Sequence, residues 1–171
     1  MPSTSSILTL ATAVAGASAA FQGFNYDNKG KNQQTFEAEF KNAQGLEGTN
    51  GGFTSARLYT MIQDGTQSDP ISAIPAGIST KTSLLFGLWA SAGQAQFNNE
   101  LAALQKTIDQ YCDKLDGLVA GISVGSEDLY RDSPIGQAAG ENPGAGPDVL
   151  SNYVDQVRKT IKDQPRLQQQ A

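Results

Sequence analysis

Four short apolar runs, at 21–26, 53–60, 82–89 and 118–124, recur along the chain, and a stretch with helical periodicity follows each of them. The runs are rich in β-branched or aromatic residues and are bounded by Gly, Asn or polar side chains, as strands are. They begin roughly 30 to 36 residues apart, the size of one strand–helix unit. The runs at 82–89 and 118–124 hardly alternate between apolar and polar, a pattern that suits a parallel sheet covered on both faces. The chain therefore reads as α/β.

The intervening segments carry the helical period. At 34–44, Phe36, Phe40 and Ala43 share a stripe, with Glu37 and Glu39 in the expected first turn. A short helix is expected at 69–76 around Ile71 and Ile74. At 94–115, Phe97, Leu101, Leu104, Ile108, Tyr111 and Leu115 follow the 3.6 period, and Gly117 supplies the stop. At 148–162, Leu150, Tyr153, Val154, Val157 and Ile161 repeat the logic, and Pro165 prevents extension.

Two architectures accommodate this order: a small doubly wound sheet, and about four units of a (β/α)8 TIM barrel, which typically needs about 250 residues. The turn after the first strand, Asn25-Tyr26-Asp27-Asn28-Lys29-Gly30-Lys31, has neither a G-x-G-x-x-G nor a P-loop, which disfavours a nucleotide-binding doubly wound fold. The segment 131–147 reads as a long loop rich in Gly and Pro at the C-terminal end of the fourth strand.

Composition narrows the chemistry. The formal charge is 12 − 17 = −5 with no basic cluster, so nucleic acid is a poor partner and neutral polysaccharides remain open. With no histidine, Ser-His-Asp and Cys-His catalysis and His-based zinc sites are excluded, which leaves carboxylates as the acid/base groups. No metal or cofactor is expected. Cys112, the only cysteine, reads as a free thiol, a thiol missing its partner, or a small core residue.

Residues 1–20 read as a secretory signal peptide. Their apolar stretch, 7–15, is too short to cross a membrane, and Ala17-Ser18-Ala19 fits the small-x-small cleavage rule ahead of Ala20 and Phe21. No Lys or Arg precedes the apolar stretch, which departs from the usual signal.

The fourth strand ends at Val124, a flexible Gly125 follows, and Glu127 and Asp128 stand at its C-terminal tip, the edge where parallel β/α folds build active sites. Asp128 reads as a helix-start charge. The run Val124-Gly125-Ser126-Glu127-Asp128-Leu129-Tyr130-Arg131 resembles the acid/base signature of family 17 glycoside hydrolases, the endo-β-1,3-glucanases, in particular their fungal cell-wall branch. Gly23-Phe24-Asn25-Tyr26, Ala56-Arg57-Leu58-Tyr59, Leu85-Phe86-Gly87-Leu88-Trp89 and Leu150-Ser151-Asn152-Tyr153-Val154 agree with it in order, so the resemblance covers 21–163.

The resemblance implies a (β/α)8 barrel, a retaining mechanism on fungal cell-wall β-1,3-glucan, Glu127 as general acid/base after strand 4, and a nucleophilic Glu after strand 7. On this reading 21–163 is the N-terminal half of the barrel, 164–171 is a polar tail, and the chain by itself is inactive. Glu37, Glu39 and Glu100, in helices, and Glu47 and Glu141, in loops, read as no replacement for the nucleophile. Many relatives have Asn where this chain has Ser126, and the fungal branch uses Ser. Tyr26, Tyr59 and Trp89, at strand ends, read either as sugar-stacking walls or as core, and Arg57 calls for a partner such as a cleft carboxylate. Secretion, a cell-wall location and no membrane insertion are expected. A glucanosyltransferase and a non-catalytic wall-binding or structural protein are the alternatives.

Overall fold

The computed structural model describes residues 21–140, 143–164 and 167. The calls on residues 1–20, on Glu141 and Pro165, on most of 164–171 and on the side chain of Cys112 lie outside that description. Four strands, β1 (Gly23–Tyr26), β2 (Ser55–Leu58), β3 (Ser83–Leu88) and β4 (Val119–Val124), form one parallel sheet in the order β1-β2-β3-β4. A doubly wound sheet reverses strand order partway. This one runs in sequence.

Helices α1 (Gln33–Gln44), α2 (Ala73–Thr80) and α3 (Gln94–Tyr111) connect successive strands. Beyond β4 come two short helices, α4 (Asp128–Arg131) and α5 (Pro134–Ala138), and then α6 (Pro147–Thr160). The core lies between helices and sheet: Phe36 and Phe40 of α1, Leu84 and Phe86 of β3, and Phe97 and Leu104 of α3 are fully buried. Each such side chain contributes about 1.5–3 kcal/mol. Phe97 stacks on Tyr153 of α6 with ring centroids 3.8 Å apart, which fixes α6 against α3.

Among the described residues, helices cover one face of the sheet. In β2, Ala56 and Leu58 are buried while Ser55 and Arg57 are half-buried. Polar Ser55, Arg57 and Ser83 among the half-buried positions explain why apolar continuity in β3 overstated its coverage.

Three further details depart from expectation. Helix α1 begins at Gln33 because Asn32 caps it, its side chain accepting from Thr35 N–H at 3.0 Å, so Glu37 and Glu39 lie beyond the first turn. Helix α2 starts at Ala73 instead of residue 69. Asp69 and Ile71 are already committed to a bridged loop, with Gln63 N–H donating to Asp69 O and Ile71 N–H to Met61 O, each at 2.8 Å. The segment 131–147 contains α5, which Ser133 caps by accepting from Gly136 N–H at 3.2 Å ahead of Pro134. Among the described residues no helix is long and apolar enough to cross a membrane.

Candidate active site

The C-terminal ends of all four strands open into one cleft of about 670 Å³, within the usual range for ligand sites. Asn25, Asp27 and Asn28 line it from the end of β1, and Arg57, Tyr59 and Thr60 from β2. Trp89 lines it from β3, Gln96 and Glu100 from α3, and Ser126, Glu127 and Arg131 from the β4–α4 junction.

Glu127 sits on a tightly constrained turn. Gly125 carries the strand pairing one step further by donating to Leu88 O at 2.9 Å, and then turns at φ +79°. A Cβ at Gly125 would come within 2.5 Å of Asp128 Oδ2, so glycine is required there twice over. Glu127 itself has φ +60°, a conformation rare outside glycine, and its side chain is exposed at the cleft.

What holds this turn is Asp128, 2% exposed. Its Oδ2 accepts from Ser126 N–H at 2.7 Å, and its Oδ1 accepts from Ser91 Oγ at 2.6 Å and from Ala145 N–H at 3.0 Å. Asp128 does open α4, as a helix-start charge would, yet its work is to tie the β3, β4 and 143–146 loops together. Gly144 packs so closely on Asp128 that a Cβ there would lie 2.0 Å from its carbonyl oxygen.

Two guanidinium groups flank Ser126. Arg57 Nη2 donates to Ser126 Oγ at 3.2 Å, with its guanidinium 5.2 Å from the Tyr59 ring centroid. Arg131 Nη2 donates to Ser126 O at 2.7 Å and to Ser91 Oγ at 2.8 Å, and lies 5.1 Å from the Trp89 ring centroid. The partner of Arg57 is thus a hydroxyl and a ring; among the described residues no carboxylate pairs with it.

Of the residues singled out from sequence, Glu127, Ser126, Arg57, Tyr59 and Trp89 come together in the cleft. Tyr26 does not. It is 8% exposed and packs edge-on against Phe40 at 5.0 Å, on the helix side. Strand side chains alternate, so Asn25 takes the cleft side of β1 and Tyr26, in register with Leu58, turns to the core. Burial pushes its hydroxyl pKa upward, with Glu39 adding to the shift.

Among the cleft residues not singled out as site residues are Arg131, which reaches back from α4, and Glu100. Glu100 is 1% exposed, accepts from Thr60 Oγ1 at 2.5 Å and from Met61 N–H at 2.8 Å, and feels a weaker stabilising pull from the Trp89 backbone. Burial pushes its pKa up to about 7 against the pull of those bonds. Asp27 is held low by Lys29 N–H and by Lys31, 3.5 Å away. Among the described residues, no three His, Cys, Asp or Glu side chains gather as a metal site would require.

No family model matches the sequence. The chain is 54% identical to a probable glucan endo-1,3-beta-glucosidase of Aspergillus terreus over 164 residues, 93% of this chain and 33% of that protein. It is 56% identical to a protein of the same name from Aspergillus fumigatus, over 91% of this chain and 35% of that protein. A third, from Aspergillus niger, is 55% identical over 90% of this chain and 33% of its own length. The chain thus spans about a third of the length of the curated relatives it matches.

Proposed function

We propose that this chain supplies the acid/base side of a β-1,3-glucan-cleaving site, within a family 17 (β/α)8 barrel to which it contributes the first four strand–helix units. The observation that carries the proposal is Glu127, held by the Asp128-braced turn at the C-terminal tip of β4 and exposed on a cleft with Trp89 and Tyr59. Relatives at 54–56% identity named as glucan endo-1,3-beta-glucosidases support it.

In the proposed reaction the Glu127 carboxyl donates its proton to the glycosidic oxygen as that C–O bond breaks and the second carboxylate bonds the anomeric carbon, holding the glycosyl group. The deprotonated Glu127 then takes a proton from the water, or from the sugar hydroxyl, that releases the glycosyl group. Water as acceptor gives hydrolysis and a sugar hydroxyl gives glucanosyl transfer, so both remain within this reading. Retention needs a second carboxylate about 5 to 5.5 Å from the first. Asp27 is engaged with Lys31 and Glu100 is buried, so the nucleophile is assigned to the later strands that the resemblance implies. A glucan-binding protein without turnover is the alternative if that carboxylate never faces Glu127. The Ser126 hydroxyl accepts from Arg57 and keeps its own proton free for a sugar oxygen. Export to the cell wall belongs to the same proposal, carried by residues 1–20, and N-terminal sequencing of exported protein checks it.

The test is a chimera in which residues 21–163 replace the matching third of the Aspergillus fumigatus relative. It is expected to cut laminarin, and Glu127→Gln, which keeps size but has no proton to give, is expected to lower the rate by about 10²- to 10⁴-fold. Near-normal cleavage of unactivated glucan by the variant would remove Glu127 from this role.

A further inference from the structure

We propose that Glu100 is a positioning residue of the cleft: its carboxylate braces the ends of β2 and β3 and so fixes where Trp89 and Thr60 stand. The proposal rests on the cleft being the working site argued above. Three separate strand-end groups converge on this one side chain. Thr60 Oγ1 donates to Oε1 at 2.5 Å and Met61 N–H donates to Oε2 at 2.8 Å, and the Trp89 backbone adds a weaker electrostatic contact. Thr60 Oγ1 in turn accepts from Ile62 N–H at 3.1 Å, so the brace extends through the first residues of the β2–α2 loop. Trp89 is the wall on which the Arg131 guanidinium rests, and Arg131 holds the backbone of Ser126 beside Glu127. The path from Glu100 to the acid/base residue is therefore continuous: Glu100, Trp89, Arg131, Ser126.

An ionised carboxylate suits this arrangement because both hydrogen bonds and the Trp89 contact favour the charged form. Burial opposes ionisation and brings the group to about 7, so the brace changes character near neutral pH. When Glu100 takes a proton, its O–H donates toward Thr60 Oγ1 where it had accepted. That oxygen has a second lone pair beside the one used by Ile62 N–H. The charged groups around the same cleft are Asp27 beyond β1, Arg57 on β2, and Glu127 and Arg131 beyond β4. The chain has no histidine, and Trp89 is its single tryptophan, so one emission signal reports one wall.

The experiment is a fluorescence titration of Trp89 in the full chain from about pH 5.5 to about pH 8.5, bracketing the group. Wild type is expected to show one transition with a midpoint near 7. Glu100→Gln, which copies the protonated side chain, is expected to remain flat at the wild-type low-pH level. Thr60→Val removes a bond to the charged form and is expected to move the midpoint upward by roughly one pH unit. The Thr60→Val shift decides the matter if the glutamine variant does not fold. A flat wild-type profile, a transition that survives Glu100→Gln, or an unmoved midpoint in Thr60→Val would each overturn the proposal. No glucan is present in this readout, so failure of the Glu127 assignment leaves it intact.

Discussion

A carboxyl group 1% exposed is an expensive thing to fold around, and Glu100 makes that cost measurable. Its folded pKa of about 7 exceeds its ordinary value of 4.5. Between those two values the unfolded chain has lost the proton and the folded chain keeps it, so stability falls as pH rises through that window. Below 4.5 both states are protonated, and above 7 the whole penalty applies. At about 1.4 kcal/mol per unit the gap is worth about 3 kcal/mol, a large part of the 5–15 kcal/mol a domain typically holds. Asp27 and Glu37, whose pKa values are lowered, titrate below the window and do not obscure it. The melting temperature of wild type relative to Glu100→Gln, at one fixed protein concentration, is therefore expected to drop by roughly 10 °C between pH 5 and pH 8. Parallel pH profiles for the two proteins would show that Glu100 is not buried as a carboxylate. Sequence carries a trace of this residue: Glu100 falls on the apolar stripe of α3, three places after Phe97 and four before Leu104. A charge on a buried stripe marks a place where burial has been accepted for another reason.

At the scale of elements, the turn joining β4 to α4 concentrates the local constraints. Gly125 at φ +79° and Glu127 at φ +60° lie on either side of Ser126, whose N–H is held by Asp128. Gly125→Ala puts a methyl group where Asp128 Oδ2 stands and forces an L side chain into a left-handed conformation, about 1–3 kcal/mol from backbone strain before any clash. The expected result in the chimera is a fall in kcat on laminarin larger than any change in KM, with faster amide exchange at Ser126. An unchanged exchange rate would mean that the turn does not depend on the clamp. The strand–helix order was legible because apolar runs and helical stripes are local signals, and all four strands lie inside the runs read from sequence. What was not legible depends on partners far along the chain. Helix α2 is displaced because Asp69 and Ile71 pair with residues 61–63, and residue types in 69–76 do not reveal that pairing. Tyr26 and Asn25 share a strand end, and which one faces the cleft follows from the register with β2. The hydroxyl of Ser126, 69 residues away, satisfies Arg57 where a carboxylate was expected. The Ser133-Pro134 start of α5 was a readable cap signal masked by the Gly and Pro around it.

Across the whole molecule, four parallel strands in sequential order leave one edge of β1 and one edge of β4 without a strand partner among the described residues. A closed barrel has no such edges, and open edges with apolar surroundings recruit other chains. The surroundings here are apolar: Phe24 is 43% exposed near the β1 edge, and Leu129, Tyr130 and Ile135 are 56%, 49% and 74% exposed beyond β4. Two copies related by a twofold axis could set β4 of each beside β1 of the other, all strands parallel, and cover both edges at once. The same geometry explains why activity is not expected of the 171 residues alone. On the proposed reading Glu127 protonates a leaving oxygen, and retention also needs a carboxylate on the opposite face of the sugar. Expressed by itself from residue 20 to 171, the chain is expected to associate through its sheet edges and to leave laminarin uncut. The chimera, which supplies the later strands, is expected to be a monomer with turnover. Sedimentation of both proteins and reducing-end release from laminarin check the pair of outcomes. A 171-residue chain that sediments as a monomer, melts cooperatively and releases sugar steadily would show that four strand–helix units suffice, and would remove the need for a completed barrel.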